Sequence, residues 1–553
     1  MKKNLRSLMV GLMAASLVGC SSSSTTATTA ATSNTEDSSM IVAIGAQFDT
    51  LDPALSTTIY NGYVISSIYD GLYHMDEKNE PQLELAESAD TSSDGLTWTF
   101  KLRNDVYFND GKTPIKAENY VYAILRALSY GADNAFRVND MVNFIVGAKD
   151  YNAKALAAGT SFDCTKEDHS SVGVTAPDDY TLVIKLNHPV TYLPVDLCDG
   201  GVWSPVPMTT PQHTSDWSLK PGYLTNGEYD LTSISLNDKA VITKNKNFYQ
   251  ADRVKMNQIT YQVIADTEAQ TAAFKSGDVD VALSISTEAA LSYKGTDNLW
   301  AISIPSTYSL CLNCGSTGPA YLKDVRVRKA LYEAIDKDAL VDVIGGSDLY
   351  PVLNGYVPFG LQGADGDFRT ERDKDGYTLK YDPDEAKSLL AEAGYSESNP
   401  LKVTYKYSMN SFHGDVATML QQMWQAVGVD VTFDAVESGV YYSQIDEGNI
   451  EIGRYGLQTG DSPLTMLKNW TDSNLVTPLL GDEKYNKMID DAQKLADPTE
   501  FANALHEAED YLVQEQCYEF PLFQFSNPAL VQSNLKNYEQ HSTTLYFSGC
   551  SKG

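Results

Sequence analysis

The sequence predicts an α/β fold with mixed sheets. Two kinds of segment carry the prediction, and they interleave along the whole chain. Trp98, Phe100 and Leu102 alternate with polar residues, as do Leu182, Ile184 and Leu186, the pattern of half-buried strands. Val327, Ala330, Leu331, Ala334 and Ile335 recur at helical spacing behind a candidate cap, Asp324. Size adds a third observation. At 553 residues and 42% hydrophobic content, the chain exceeds what one core organises and should divide into two or three domains.

Taken in order, the chain opens with Lys2, Lys3 and Arg6, an apolar run from Leu8 to Val18, and Leu17-Val18-Gly19-Cys20. A basic start, a short apolar segment and small residues describe a secretory signal peptide, and the run is too short to span a bilayer. A cysteine after Leu-x-Gly resembles the bacterial lipobox, which implies that Cys20 is lipidated and begins the mature chain. Stable anchoring takes about two acyl chains. Residues 21–39 are nearly all Ser, Thr and Ala, a composition that buries no core and reads as a tether. Folded structure is expected from about Met40, and nothing after Cys20 is apolar for long enough to cross a membrane.

Further along, Asp382-Pro383-Asp384-Glu385 supplies a cap, a first-turn proline and acidic charge at the positive end of a helix. Leu389 and Leu390 are its buried face and Gly394 its end. Val416, Met419, Leu420, Met423, Trp424 and Val427 form another apolar stripe before Gly428, and a strand follows at 429–433. Loops rich in Gly, Pro and Asp fall near 199–227 and 354–376; the first reads as a domain crossing. No internal repeat is present.

With 73 acidic against 41 basic residues the formal charge is −32, and losing the basic leader makes it more negative. That balance excludes non-specific nucleic-acid binding and electrostatic adhesion to anionic lipid. Six cysteines follow Cys20: Cys164, Cys198, Cys311, Cys314, Cys517 and Cys550. An oxidising exterior permits disulfides, but spacing does not decide their pairing. Cys311-x-x-Cys314 has no second ligand pair, so no metal site is expected. A redox motif of this kind opens a helix, whereas Tyr308–Cys314 reads as a strand. Gly549-Cys-Ser551-Lys-Gly553 matches G-x-S-x-G but ends the chain, with no helix or His after it. HExxH and P-loop patterns are missing. No enzyme and no cofactor is expected.

Across about 41–540 a set of short motifs then recurs in a characteristic order: Leu51-Asp52-Pro53; Tyr69-Asp70-Gly71-Leu72; Pro81 to Ser88; Leu96 to Arg103; Val106 to Lys112; Ala117 to Val121; Thr225-Asn226-Gly227-Glu-Tyr229; Phe274 to Asp280; Asp324 to Leu331; and Asp382-Pro383 to Tyr395. Together they resemble the extracellular solute-binding proteins of ABC transporters, in the peptide, dipeptide and nickel group (family 5), and oligopeptide-binding members most. The resemblance implies a bilobal clamshell with an inserted domain. Its divisions are a signal peptide (1–19), lipidated Cys and tether (20–39), lobe I in three parts (40–76, 206–305, 526–553), an inserted domain (77–205) and lobe III (306–525). It further implies a monomeric, lipid-anchored extracytoplasmic receptor that captures peptides between its lobes and delivers them to ABC permease and ATPase subunits. A nickel chelate or oligosaccharide as solute, or a sensor or adhesin on the same fold, are the alternatives.

The family's ligand segment, roughly R-x-G-W-x-x-D-Y-x-D-P, here reads Arg454-Tyr-Gly456-Leu457-Gln458-Thr459-Gly460-Asp461-Ser462-Pro463. Arg454, Gly456, Pro463 and Leu467 match, and Leu457 replaces the Trp. The carboxylate that holds a peptide's α-ammonium would align with Thr459 or Gly460, so Asp461 takes that role by a local shift; otherwise Asp461 caps the next helix. Tyr441 or Tyr442 stands in for a missing upstream aromatic. His413 falls where the family's strand-to-helix loop lines the cleft, as a neutral ligand contact or a solvated helix-start residue. Phe136, Thr57 and Tyr308 align with pocket walls.

Overall fold

Two long antiparallel strands, Leu299–Leu312 and Glu519–Val531, organise the molecule. They lie side by side in a ten-stranded sheet. Beyond the first come Ile452–Tyr455, Leu401–Ser408 and Val429–Val436. Beyond the second come Val281–Ala282, Ser39–Ile44, Gln258–Val263, Lys239–Lys244 and Tyr229–Ser235. Each half-sheet is mixed: Ser39–Ile44 runs parallel to both neighbours, as does Leu401–Ser408. Among the described strands, the two long ones join one half-sheet to the other, in keeping with a bilobal fold. In this computed structural model residues 38–131, 138–198, 200–409, 411–456, 462–472, 480–541 and 544–553 are described. Cys20, the leader and most of the tether lie outside them. Among the described residues no helix is long and apolar enough to cross a membrane.

The central strands are buried on both faces, with Val42, Ala43, Ile44, Val281, Ala282 and Leu530 all inaccessible. Their near-continuous apolar character follows from that. A separate four-stranded antiparallel sheet is ordered Ala86–Thr91, Thr97–Leu102, Thr181–Lys185, Val174–Asp178. Its period-two pattern points Phe100 and Leu102 inward, under the helix Ala117–Ala127. Asp52, from Leu-Asp-Pro, ties this helix to the exit of the first strand. The carboxylate is fully buried and accepts from Arg126 Nη1 at 2.9 Å, while Arg126 Nε donates to Pro211 O at 2.9 Å. Breaking a buried pair of this kind costs about 3–5 kcal/mol. Gly227 allows the close approach beside it, because a β-carbon there would lie 2.4 Å from the Ile68 carbonyl carbon.

Helix ends follow the local signals. Asp324 accepts from Arg326 N at 3.0 Å and Asp382 from Glu385 N at 3.0 Å. Gly394 and Gly428 take left-handed φ of 94° and 89°. The helix after Asp324 stops at Glu333, however, and Asp336 caps a second one, Lys337–Ile344, by accepting from Ala339 N at 3.0 Å. Ala334 and Ile335 therefore pack from a turn; the Asp side chain offered the backbone a competing bond. Cys164, Cys311, Cys517 and Cys550 are buried free thiols and serve the core as small hydrophobes.

Candidate functional site

The candidate site gathers on one half-sheet beside the crossing strands. Arg454 sits on Ile452–Tyr455, opposite Leu310 of the long strand. Its side chain is 6% exposed. Nη2 donates to Tyr442 Oη at 2.8 Å, and the guanidinium carbon lies 5.4, 5.7 and 5.9 Å from the ring centres of Tyr441, Tyr442 and Tyr308. Burial opposes its charge, but the three tyrosines outweigh burial and hold its pKa above the ordinary value. No carboxylate among the described residues pairs with it. A guanidinium withdrawn from water, and faced among the described residues by aromatic rings, presents a positive charge that an anionic group could pair with.

His413 stands in the first turn of the helix Ser411–Ala426. It is 8% exposed, with its ring 5.6 Å from that of Tyr308. Burial, then the charge of Arg454, pushes its pKa down to about 3. Burial and the neighbouring Arg454 thus favour the neutral imidazole. Gly456 opens the space above the cation. A β-carbon there would lie 3.3 Å from Arg454 Nη1 and 3.6 Å from Phe525 Cε2. Tyr442, exposed at the surface, covers the cation on one side.

Two expected contacts change role. Tyr441 is fully buried and donates to the backbone oxygens of Arg454 and Lys406, so it props the strand from below. Its neighbour Tyr442 reaches the surface instead. Tyr308 is likewise inaccessible and stacks on Phe523 at 4.7 Å, forming the floor rather than a wall. Thr57 is exposed in the loop before the helix Ile59–Ile68; the structure does not bring it to Arg454. Phe136, Thr459 and Asp461 lie outside the described residues. Next to Asp461, Ser462 caps Pro463–Lys468 by accepting from Thr465 N at 3.2 Å.

The sequence reading missed a concavity of about 280 Å³ between Ile59, Tyr63, Met75, Trp203, His541 and Leu545. It joins three segments distant in sequence, and no local pattern marks it. Chemically, the Arg454 cluster offers a fixed cation, a neutral imidazole and apolar surface. The thiol beneath it, Cys311, is inaccessible and raised by burial to about 12, which makes it inert. The cluster is built to bind.

Comparison with known proteins agrees in extent. The family model for bacterial extracellular solute-binding proteins, family 5, matches residues 80–476. The oligopeptide-binding protein OppA of Bacillus subtilis is 27% identical over 514 residues, 90% of each chain. The murein tripeptide binding protein MppA, solved in an unliganded open form, covers 94% of this chain and 98% of its own at 24% identity, with a TM-score of 0.80. OppA of Haemophilus influenzae in complex with the peptide RPPGFSPFR covers 94% and 99% at 24% identity, with a TM-score of 0.63.

Proposed function

This chain belongs to the bacterial extracellular solute-binding proteins of family 5, and on that premise we propose that it is a receptor that captures peptides between its two lobes and hands them to an ABC importer. The observation that carries the reading is Arg454: a buried cation with no carboxylate partner among the described residues. A peptide supplies the missing anion in its terminal carboxylate. His413, being neutral, can share that carboxylate without a second charge. Tyr442 gives apolar contact to whichever side chain lies beside it, without dictating its shape. The better superposition on an unliganded open form than on a peptide complex supports reading this structure as the open receptor.

At the other end of the ligand, Asp461 is the amine anchor, freed for that role by Ser462 taking the helix cap. Cys20 carries the lipid, the Ser/Thr segment is the tether, and the receptor works outside the cytoplasm as a monomer without catalysis. Boundaries at residues 76, 205, 305 and 525 divide the lobes and the inserted domain; the four-stranded sheet, drawn wholly from residues 86–185, fits the insertion. Calorimetry with a short peptide library, together with mass spectrometry of whatever co-purifies, tests the reading. Binding of unmodified peptides raises Tm by mass action. A library that fails to bind, with a non-peptide anion recovered from the native protein, would replace peptides by that solute.

A further inference from the structure

The crossing of the two long strands is irregular at one place. Pairing runs from Leu299↔Leu530 to Ser303↔Ser526 and resumes at Thr307↔Gln524, so Ile304, Pro305 and Ser306 bulge opposite Phe525. A bulge takes backbone groups out of the ladder. Pro305 has no N–H to lose. The fully buried side chain of Gln524 serves the others. Its Oε1 accepts from Phe359 N at 2.9 Å. Its Nε2 lies 2.7 Å from Ser303 Oγ, 2.9 Å from Ile304 O and 3.0 Å from Phe359 O. Gln540 brackets the bulge from the opposite side, accepting from Ser303 N at 2.9 Å and donating to Ser303 O. Ser303 and Ile304 lead toward the half-sheet of the first strand. Phe359 follows a segment laid along Gln524, whose backbone N–H donates to Pro351 O at 2.8 Å.

An amide nitrogen carries two hydrogens, and here three oxygens compete for them. One of those oxygens, Ile304 O, belongs to the bulge, one, Ser303 Oγ, to the paired residue that enters it, and one to Phe359. The Oε1 contact can hold Phe359 while Nε2 changes partners, so the hinge can turn without stranding a buried carbonyl. We propose that Gln524 is the positioning residue of the hinge: its amide, shared between the bulge and Phe359, holds the ligand-free lobes apart and gives up one bulge oxygen on closure. The proposal rests on the receptor reading, which supplies the closure.

Gln524→Met keeps the side chain's length and removes both polar atoms. In solution scattering, the ligand-free variant is expected to have a smaller radius of gyration, displaced toward that of peptide-saturated wild type. Its peptide Kd should tighten by about fivefold, because a larger fraction is already binding-competent. Ser303→Ala removes one oxygen and no backbone group, and should shift both quantities the same way by about twofold. A folded Gln524→Met protein with unchanged radius and Kd overturns the proposal, as does Ser303→Ala moving either quantity the other way. If Gln524→Met does not fold, Ser303→Ala decides alone, and an unmoved radius then overturns it. The overturning comparison is between ligand-free variant and ligand-free wild type, so failure to bind peptides would sink the receptor reading while leaving the hinge testable.

Discussion

Replacing Arg454 by Met removes the guanidinium and keeps most of its volume, so the three tyrosines retain a packing partner. In the ligand-free protein this change should move stability little. Arg454 is 6% exposed, and among the described residues its Nε has no hydrogen-bond partner and no carboxylate neutralises it, but the three tyrosines favour its charge against burial. Apolar replacement of buried charge is often neutral or stabilising. Arg454→Met should therefore lie within about 1 kcal/mol of wild type, the lost cation–π contacts offsetting the desolvation relieved. With ligand the effect is larger. Truncating one member of a buried, hydrogen-bonded charge pair costs about 2–5 kcal/mol, a factor of roughly 30 to several thousand in Kd. The assay is calorimetry with one peptide as free acid and as C-terminal amide, on both proteins, supported by thermal unfolding without ligand. Wild type should discriminate strongly between acid and amide, and Arg454→Met hardly at all. Equal losses for acid and amide would mean that the cation serves the fold, and the anion-site reasoning would be refuted.

Three further outcomes are expected. The folded pKa of His413 is about 3, below an unfolded value of about 6.5, so the unfolded state binds the extra proton between these limits. Stability should fall as pH drops from about 6.5 toward 3, and His413→Gln should flatten that fall; parallel Tm curves from pH 7 to 4 would remove His413 from the account. Asp461→Asn should weaken an unmodified peptide by the buried-pair magnitude of about 2–5 kcal/mol and its N-acetylated form hardly at all; equal losses in this double-mutant cycle would deny the amine contact. Cys20→Ser should move folded protein from the membrane to the soluble fraction, and retention through a high-salt wash would show that something other than lipid holds it.

Much of the fold was legible because its signals are short-ranged. Asp324 and Asp382 are read as caps from three or four residues, and Thr97–Leu102 and Thr181–Lys185 from alternation alone. The long strands were not legible. Leu299–Leu312 is recognisable locally only near Cys311, and its partner lies more than 200 residues away, interrupted by Pro521 and Pro528. At the site, Arg454 and Gly456 emerged from a motif, but choosing between Tyr441 and Tyr442 needed the phase of one helix. That phase was present in the spacing of Tyr441 and Ile445, one turn apart and both inaccessible; Tyr442 falls off that stripe. Gln524 gave no sign at all, since a buried amide is defined by acceptors that only the folded chain assembles.

The sheet's connectivity sets an order of events for a chain made from its N-terminus. Among the described residues, Glu519–Val531 is the one strand bonded both to Leu299–Leu312 and to Val281–Ala282. Until it arrives, the sheet exists as two pieces with raw inner edges, one of them holding Ser39–Ile44. The keystone is thus made more than 200 residues after the long strand it pairs with. Pairings this distant in sequence form slowly, and unpaired inner edges are aggregation-prone while they wait. A nascent chain of this design remains extendable and in need of protection until Glu519–Val531 emerges, and a deletion of that strand would leave two half-sheets with no strand to bond them.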